Sequence, residues 1–320
     1  KITVTSAATA NYNAKSATYS VTVKNIINEA KIGDYVNYKY DITSDYTLQA
    51  KYSGYDSNQS IKQTTGLKWR ILNIDKSNKT IEIVSEKSAS TNTYFWGKLG
   101  YNNGPYLMND ICKAQYSNKS LGVYARSINL LDMEKHLTTN GISARNSYFS
   151  TVQVQYGKTK KYTGNNSYYP TFYKNQKGAG INTSNITQPN ITKGNDPYEE
   201  SQKIATTEPT TDSSCGQASS RGLTITQTYY NIIINNDNYG TASSVLASGS
   251  EYWVASRFVD TDPVFAEFGL RRANTNMTGH DMFWSYNDDQ IGGYRLCPLV
   301  SLSSNLFTGA KNSSGAWNLK

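Results

Sequence analysis

Histidine is nearly absent: His136 and His280 are the two in 320 residues. A Ser-His-Asp relay could draw on one of them at most, and a histidine-rich zinc site is excluded. Charged residues make up 18% and apolar residues 37%. A coiled coil or helical bundle would need far more Ala, Leu, Glu and Lys. No apolar run approaches the roughly 18 residues of a membrane span. Cysteine is confined to Cys112, Cys215 and Cys297, whose spacing fits neither CxxC nor a zinc ribbon. Such an odd, scattered set allows one long-range disulfide with one free thiol, or three buried inert thiols. No GxxxxGK[ST] or GxGxxG phosphate cradle occurs, and no cofactor is expected.

What is present is Asn, Ser, Thr, Gly and tyrosine, with 26 Tyr against 8 Phe. That mixture suits short β-strands joined by long polar loops. It holds too much Tyr, Trp and Ile for a disordered chain. The length allows one large or two modest domains. Net charge is +8 at pH 7, but the cations are scattered. The one tight basic group, Lys158–Lys161 beside Tyr156 and Tyr162, reads as a solvated loop, with a polyanion contact as the alternative. Nucleic acid is not an expected partner.

Alternation predicts strands at Ile2–Ser6 and Ala17–Val23, then at Tyr35–Tyr40 with Val36, Tyr38 and Tyr40 on one face. Leu67–Asp75 and Thr80–Ser85 form a hairpin about the turn 76–79, with Trp69, Ile71, Ile81 and Ile83 inward. Gly100–Tyr106 reads as a turn into a helix, with Pro105 in the first turn. A second short helix is expected over Asn129–Leu137, with His136 as a surface or capping residue near its C-terminus. Residues 140–222 are the least regular, with an aromatic island at Tyr168–Tyr173. A strand follows over Leu223–Tyr230, and Asn231–Asn238 extends it or forms a hairpin arm. Lys1–Thr5 opens as a strand without a leader pattern, so the chain is expected to begin inside a longer protein.

The last third has its own order. Strands are expected at Glu251–Arg257, with Trp253 and Ala255 on one face, at Val264–Arg271, and at Tyr294–Leu302. Between the last two lies a polar and aromatic run over 272–290 that shows neither a strand nor a helix period. Written as YWxASR, FGLR, polar run, RxxPLVSL, this order resembles secreted or surface proteins of Gram-positive gut bacteria. Ile32–Tyr35, Leu67–Asp75, Gly100–Asp110 and Ala125–His136 match further stretches of that group, so the resemblance spans roughly 31–305. Its members are similar to the C-type-lectin-like fold of formylglycine-generating enzymes, which is also the scaffold of retroelement-diversified variable proteins. Familiar members close on Arg-Pro where this chain has Cys297-Pro298. Residues 1–25 resemble the end of a bacterial immunoglobulin-like repeat; a β-hairpin docked on the main domain is the alternative.

The resemblance implies an α+β, C-type-lectin-like domain with small twisted antiparallel sheets, two short helices and long polar loops. It would span 26–310, preceded by the hairpin remnant at 1–25 and followed by a tail at 311–320. It implies an extracellular or cell-surface module that binds a protein or glycan on another cell or a phage, without catalysis. Composition points to the same segment, because Tyr and Trp give contact area at low entropy while Asn and Ser give adaptable hydrogen bonds. The candidate ligand-binding residues are Asn274, Asn276, His280, Asp281, Phe283, Trp284, Tyr286, Asn287, Asp288 and Asp289. For Phe283 and Trp284 the alternative is a place in the core. Asp281, Asp288 and Asp289 offer oxygen ligands for calcium, but they lack the Gly and terminal Glu of an EF-hand, and no metal is expected. Glu267 and Asp262 are the pair a glycosidase would use. A pilus or filament subunit and a structural wall protein are the other readings.

Overall fold

The computed structural model describes residues 2–6, 9, 15–19, 26–41, 44–147, 158–161, 166–170, 190–191, 215–219, 224–227, 232–247, 249–261, 266–274, 278–285, 288–289 and 291–320. Along 2–6, 15–19, 158–227, 258–268 and 278–289 the description is of the backbone. The fold is mixed α+β, with several small sheets and few helices. Two sheets dominate. Their strands are β1 (Tyr35–Asn37), β2 (Trp69–Asp75), β3 (Thr80–Ser85), β4 (Asn92–Trp96) and β5 (Ala125–Ser127). Then come β6 (Tyr252–Thr261), β7 (Ala266–Ala273), β8 (Thr278–Ser285), β9 (Asp288–Asp289), β10 (Ile291–Arg295), β11 (Pro298–Ser303), β12 (Phe307–Lys311) and β13 (Trp317–Leu319). The seven-stranded sheet runs β12-β13-β1-β2-β3-β11-β5, and the six-stranded sheet runs β9-β8-β7-β6-β10-β4. Helix α1 is Gly97–Tyr116 and α2 is Leu130–Glu134.

The β2–β3 hairpin forms as its alternation predicts. Asp75 closes the turn by accepting from the Asn78 amide at 2.9 Å and the Asn78 side chain at 2.7 Å, and Lys79 takes the left-handed backbone (φ 55°). Trp69, Ile71, Ile81 and Ile83 all point into one apolar cluster. Leu72, Val84 and Leu299 point the other way, into a second cluster. Strand β6 divides its residues in the same manner, with Trp253 and Ala255 in the first cluster and Tyr252 and Val254 in the second. These strands therefore carry apolar side chains on both faces, one set in each cluster.

Several expectations need correction. Helix α1 is 20 residues long, starts at Gly97, and carries Pro105 in its interior. Helix α2 is short as expected, and Asn129 caps it in a reciprocal box with Asp132. The run Tyr294–Leu302 is two strands in different sheets, because Leu296 and Cys297 turn their carbonyls to Ala89 (2.7 Å) and Ile128 (3.0 Å). Pro298, which has no N–H to offer a ladder, opens the second strand. Asn236–Tyr239 is helical, with Asn235 accepting from the Asn238 amide at 2.9 Å as the N-cap. Residues 311–320 are no tail: β13 pairs with β1, and the Trp317 indole donates to Asp34 at 2.8 Å. Lys158–Lys161 is a strand, antiparallel to Thr224–Gln227. Short strands also occur at Asn166–Pro170, Asn190–Ile191 and Cys215–Ser219 within the stretch read as irregular. Ile2–Ser6 pairs with Lys15–Tyr19, while residues 20–25 lie outside the described residues.

Helix α1 lies against the six-stranded sheet over Gly104. A Cβ at that position would stand 2.3 Å from Cδ1 of Leu270, and Leu270 in β7 is fully buried. Gly costs a helix about 1 kcal/mol relative to Ala, but overpacking a closed core costs about 1–3 kcal/mol. Gly104→Ala is therefore expected to lower stability, by up to about 2 kcal/mol in urea unfolding. Leu270→Val in the same chain should make the double variant less destabilised than the sum of the two single changes.

Candidate functional site

The run 272–290, which shows neither a strand nor a helix period, contributes β8 and β9, the outermost strands of the six-stranded sheet. Strand β8 pairs antiparallel with β7 and so contributes the backbone of His280, Asp281, Phe283 and Trp284. Strand β9, which is Asp288 and Asp289, folds back opposite Ser285 and Trp284. Six of the ten candidate residues thus share one hairpin. Asn274 stands just past β7 and is half-buried. Asn276, Tyr286 and Asn287 lie outside the described residues. The register explains the missing period. Phe268 faces Trp284 and Gly269 faces Met282, so Phe283 is an extra residue in β8. A bulge of this kind breaks the two-residue alternation within the strand.

Beneath the hairpin, β7 and β6 are anchored to α1 by Arg257, a β6 residue only 2% exposed. Its Nε donates to the Tyr101 carbonyl at 2.7 Å and an Nη to the Asn102 carbonyl at 2.5 Å. The guanidinium stands over the Tyr101 ring, 5.4 Å from the centroid. Pro105 makes this contact available. In an unbroken helix the Tyr101 carbonyl would accept from residue 105, but proline has no N–H. The arginine therefore completes a helix that proline interrupts. Burial pulls the Arg257 pKa down to about 10, with Tyr101 acting in the opposite direction. The group still carries its charge at neutral pH. Burial likewise pushes the Tyr101 phenol up to about 12.

Other chemistry-bearing groups read as structural. Cys112 and Cys297 are free and buried, so they do not form the disulfide left open above. Burial pushes the Cys297 thiol up to about 12 and that of Cys112 well above its ordinary value, which makes both poor nucleophiles. The side chain of Cys215 lies outside the described residues. His136 follows α2 and is half-buried rather than on the surface; its amide donates to Met133 at 3.0 Å. Among the described residues none hydrogen-bonds its Nε2. Among the described residues no three His, Cys, Asp or Glu side chains gather as a metal site. Glu267 and Asp262, the glycosidase pair, have no side chain among those described.

No family model, curated protein or solved structure matches the chain.

Sequence reasoning missed Arg257, taking it for the last residue of a strand. The signal was divided between two places: a proline at a helical position, and a cation at the end of the apolar run Tyr252–Ala255. Arg257→Met should destabilise the fold by about 3 kcal/mol, because it removes charge-assisted bonds in a buried site. Adding Pro105→Ala restores an N–H toward Tyr101, so urea titration of the double variant should show part of that loss recovered. His136 gives a pH test. Burial, and then Lys135, lower its pKa, against opposing effects of Glu82 and Asp132. The unfolded chain therefore binds the proton more readily, and stability present above about pH 6.5 is lost as pH falls below it. The melting temperature should drop between pH 7.5 and 5.5, and less steeply in His136→Gln.

Proposed function

We propose that the chain is an extracellular, non-catalytic ligand-binding module. In this reading the two sheets form a C-type-lectin-like domain, and the hairpin β8–β9 with the end of β7 is its recognition surface. The partner is a protein or glycan on another cell or a phage. The observation that carries the reading is that Thr278–Ser285 and Asp288–Asp289, two stretches of the aromatic and polar run, are the outermost strands of a sheet whose inner strands are fixed to α1. A rigid base beneath a segment whose sequence is rich in Trp, Tyr, Asn and Asp is what low-entropy recognition needs. Sequence diversity among retroelement-driven copies would then concentrate in the hairpin and leave β6, α1 and Arg257 unchanged.

The test uses the labelled chain on an array of bacterial and host glycans and on intact cells of several Gram-positive and Gram-negative strains. The parent should bind at least one probe, and Trp284→Ala with Tyr286→Ala should bind that probe at least ten-fold more weakly with an unchanged melting temperature. A parent that binds no probe, or a double variant that binds as well as the parent, overturns the proposal.

A further inference from the structure

A concave site lies on the other side of β6 from the hairpin. It is a cleft of about 400 Å³, within the usual size range of small-molecule sites. Its walls come from four places far apart in the chain: the loop entering β2, the loop between β3 and β4, the residue Ser250 before β6, and the end of β10. These walls are tied to one another. The Ser90 amide donates to Thr64 Oγ1 at 2.7 Å, the Glu86 amide to the Lys68 carbonyl at 2.8 Å, and the Ala89 amide to the Leu296 carbonyl at 2.7 Å. A cleft braced in this way is preformed, and little ordering entropy is lost on binding.

Its chemistry is one-sided. Lys68, Lys87 and Arg295 line it, and none of the three makes an ion pair among the described residues. The single lining carboxylate, Glu86, accepts the phenol of Tyr35 instead. Arg295 gives one Nη to Ser250 Oγ at 2.7 Å, which fixes the guanidinium while its other donors remain for a ligand. Hydroxyls of Thr64, Ser88 and Ser90 complete the lining. Ser88 is buried, at 7% exposure, and its Oγ has no hydrogen-bond partner among the described residues. An unmet hydroxyl beside three unneutralised cations asks for a ligand that is anionic and also rich in hydroxyl groups.

We propose that this cleft binds an acidic sugar residue, a hexose ring bearing a carboxylate, as a unit of a uronic-acid glycan. The carboxylate meets Arg295 and the two lysines, and the ring hydroxyls exchange hydrogen bonds with Thr64, Ser88 and Ser90. This assignment is independent of the hairpin's role.

Calorimetric titration with a galacturonate tetrasaccharide tests it, beside the matched neutral galactose tetrasaccharide and inorganic phosphate. The acidic sugar should bind, both other probes at least ten-fold more weakly, and 0.5 M salt should weaken the binding. Lys68→Glu with Lys87→Glu, two exposed positions, should reduce affinity at least ten-fold without changing the melting temperature, and Arg295→Gln should do the same. The Trp284→Ala, Tyr286→Ala chain should bind the acidic sugar normally. The proposal is overturned by no binding of the acidic sugar, by equal binding of the neutral sugar, by phosphate binding as tightly, or by lysine variants that retain affinity.

Discussion

The contact between Arg257 and the first half of α1 governs how the six-stranded sheet is held. A buried guanidinium is expensive to desolvate unless its donors are used. Here two of them meet carbonyls in a helix that lacks one N–H at Pro105, one being the carbonyl that the proline leaves open. Each feature is unfavourable alone. Together they satisfy one another, and they set β6 against the helix at a fixed height. Gly104 sits one residue before Pro105 and lets Leu270 of β7 approach the same helix surface. The close approach and the buried cation thus act on neighbouring strands from one turn of α1.

Strand β6 also separates the two apolar clusters. Trp253 packs edge-on to Phe95 and Tyr294 on one side, and its indole donates to the Thr93 carbonyl at 2.8 Å. On the other side the Tyr252 hydroxyl donates to the Leu246 carbonyl at 2.8 Å. A strand clamped on both faces cannot shift register without moving polar groups out of their bonds. The second cluster is bordered by α2, where Asp132 is nearly fully buried yet receives Arg126 through both oxygens, at 2.5 and 2.7 Å, and the Asn129 amide at 2.9 Å. That carboxylate is at once helix cap and ion-pair partner, so α2 is tied to β5, the strand from which Arg126 projects.

What could be read in advance depended on whether the determining contacts were local. The β2–β3 hairpin was legible because alternation and turn chemistry both lie within 69–85. The cap of α2 is equally local, since Asn129 and Asp132 are three residues apart, but the sequence reading placed Asn129 inside the helix. Helix α1 was misread because Gly97, Gly100, Gly104 and Pro105 disfavour a helix locally, while Arg257 and Leu270, more than 150 residues away, favour it. Strand β8 was hidden by its own bulge at Phe283. The run into β11 looked continuous because nothing but Pro298 marks the passage between sheets. Within the candidate segment, the strand architecture was not legible. The acidic-sugar cleft left no local trace, since its cations stand at 68, 87 and 295 and meet only through the fold.

The passage between the sheets ties that cleft to the core. Arg295 ends β10, and the next two residues turn their carbonyls to Ala89 and Ile128 before β11 begins. Leu296 and Cys297 are themselves buried, one in each apolar cluster. The cation in the cleft is thus followed immediately by two side chains held in opposite cores. Ala89, whose amide donates to the Leu296 carbonyl, follows Ser88 directly in the opposite wall. Movement of Arg295 relative to Ser88 would have to break that bond or draw Leu296 or Cys297 from its cluster. Exposed arginines usually lose rotamer and backbone freedom when they meet a ligand. In this chain the backbone beneath Arg295 is immobilised by folding itself, and Ser250 holds its head group, so the position of the charge is set before any anion arrives.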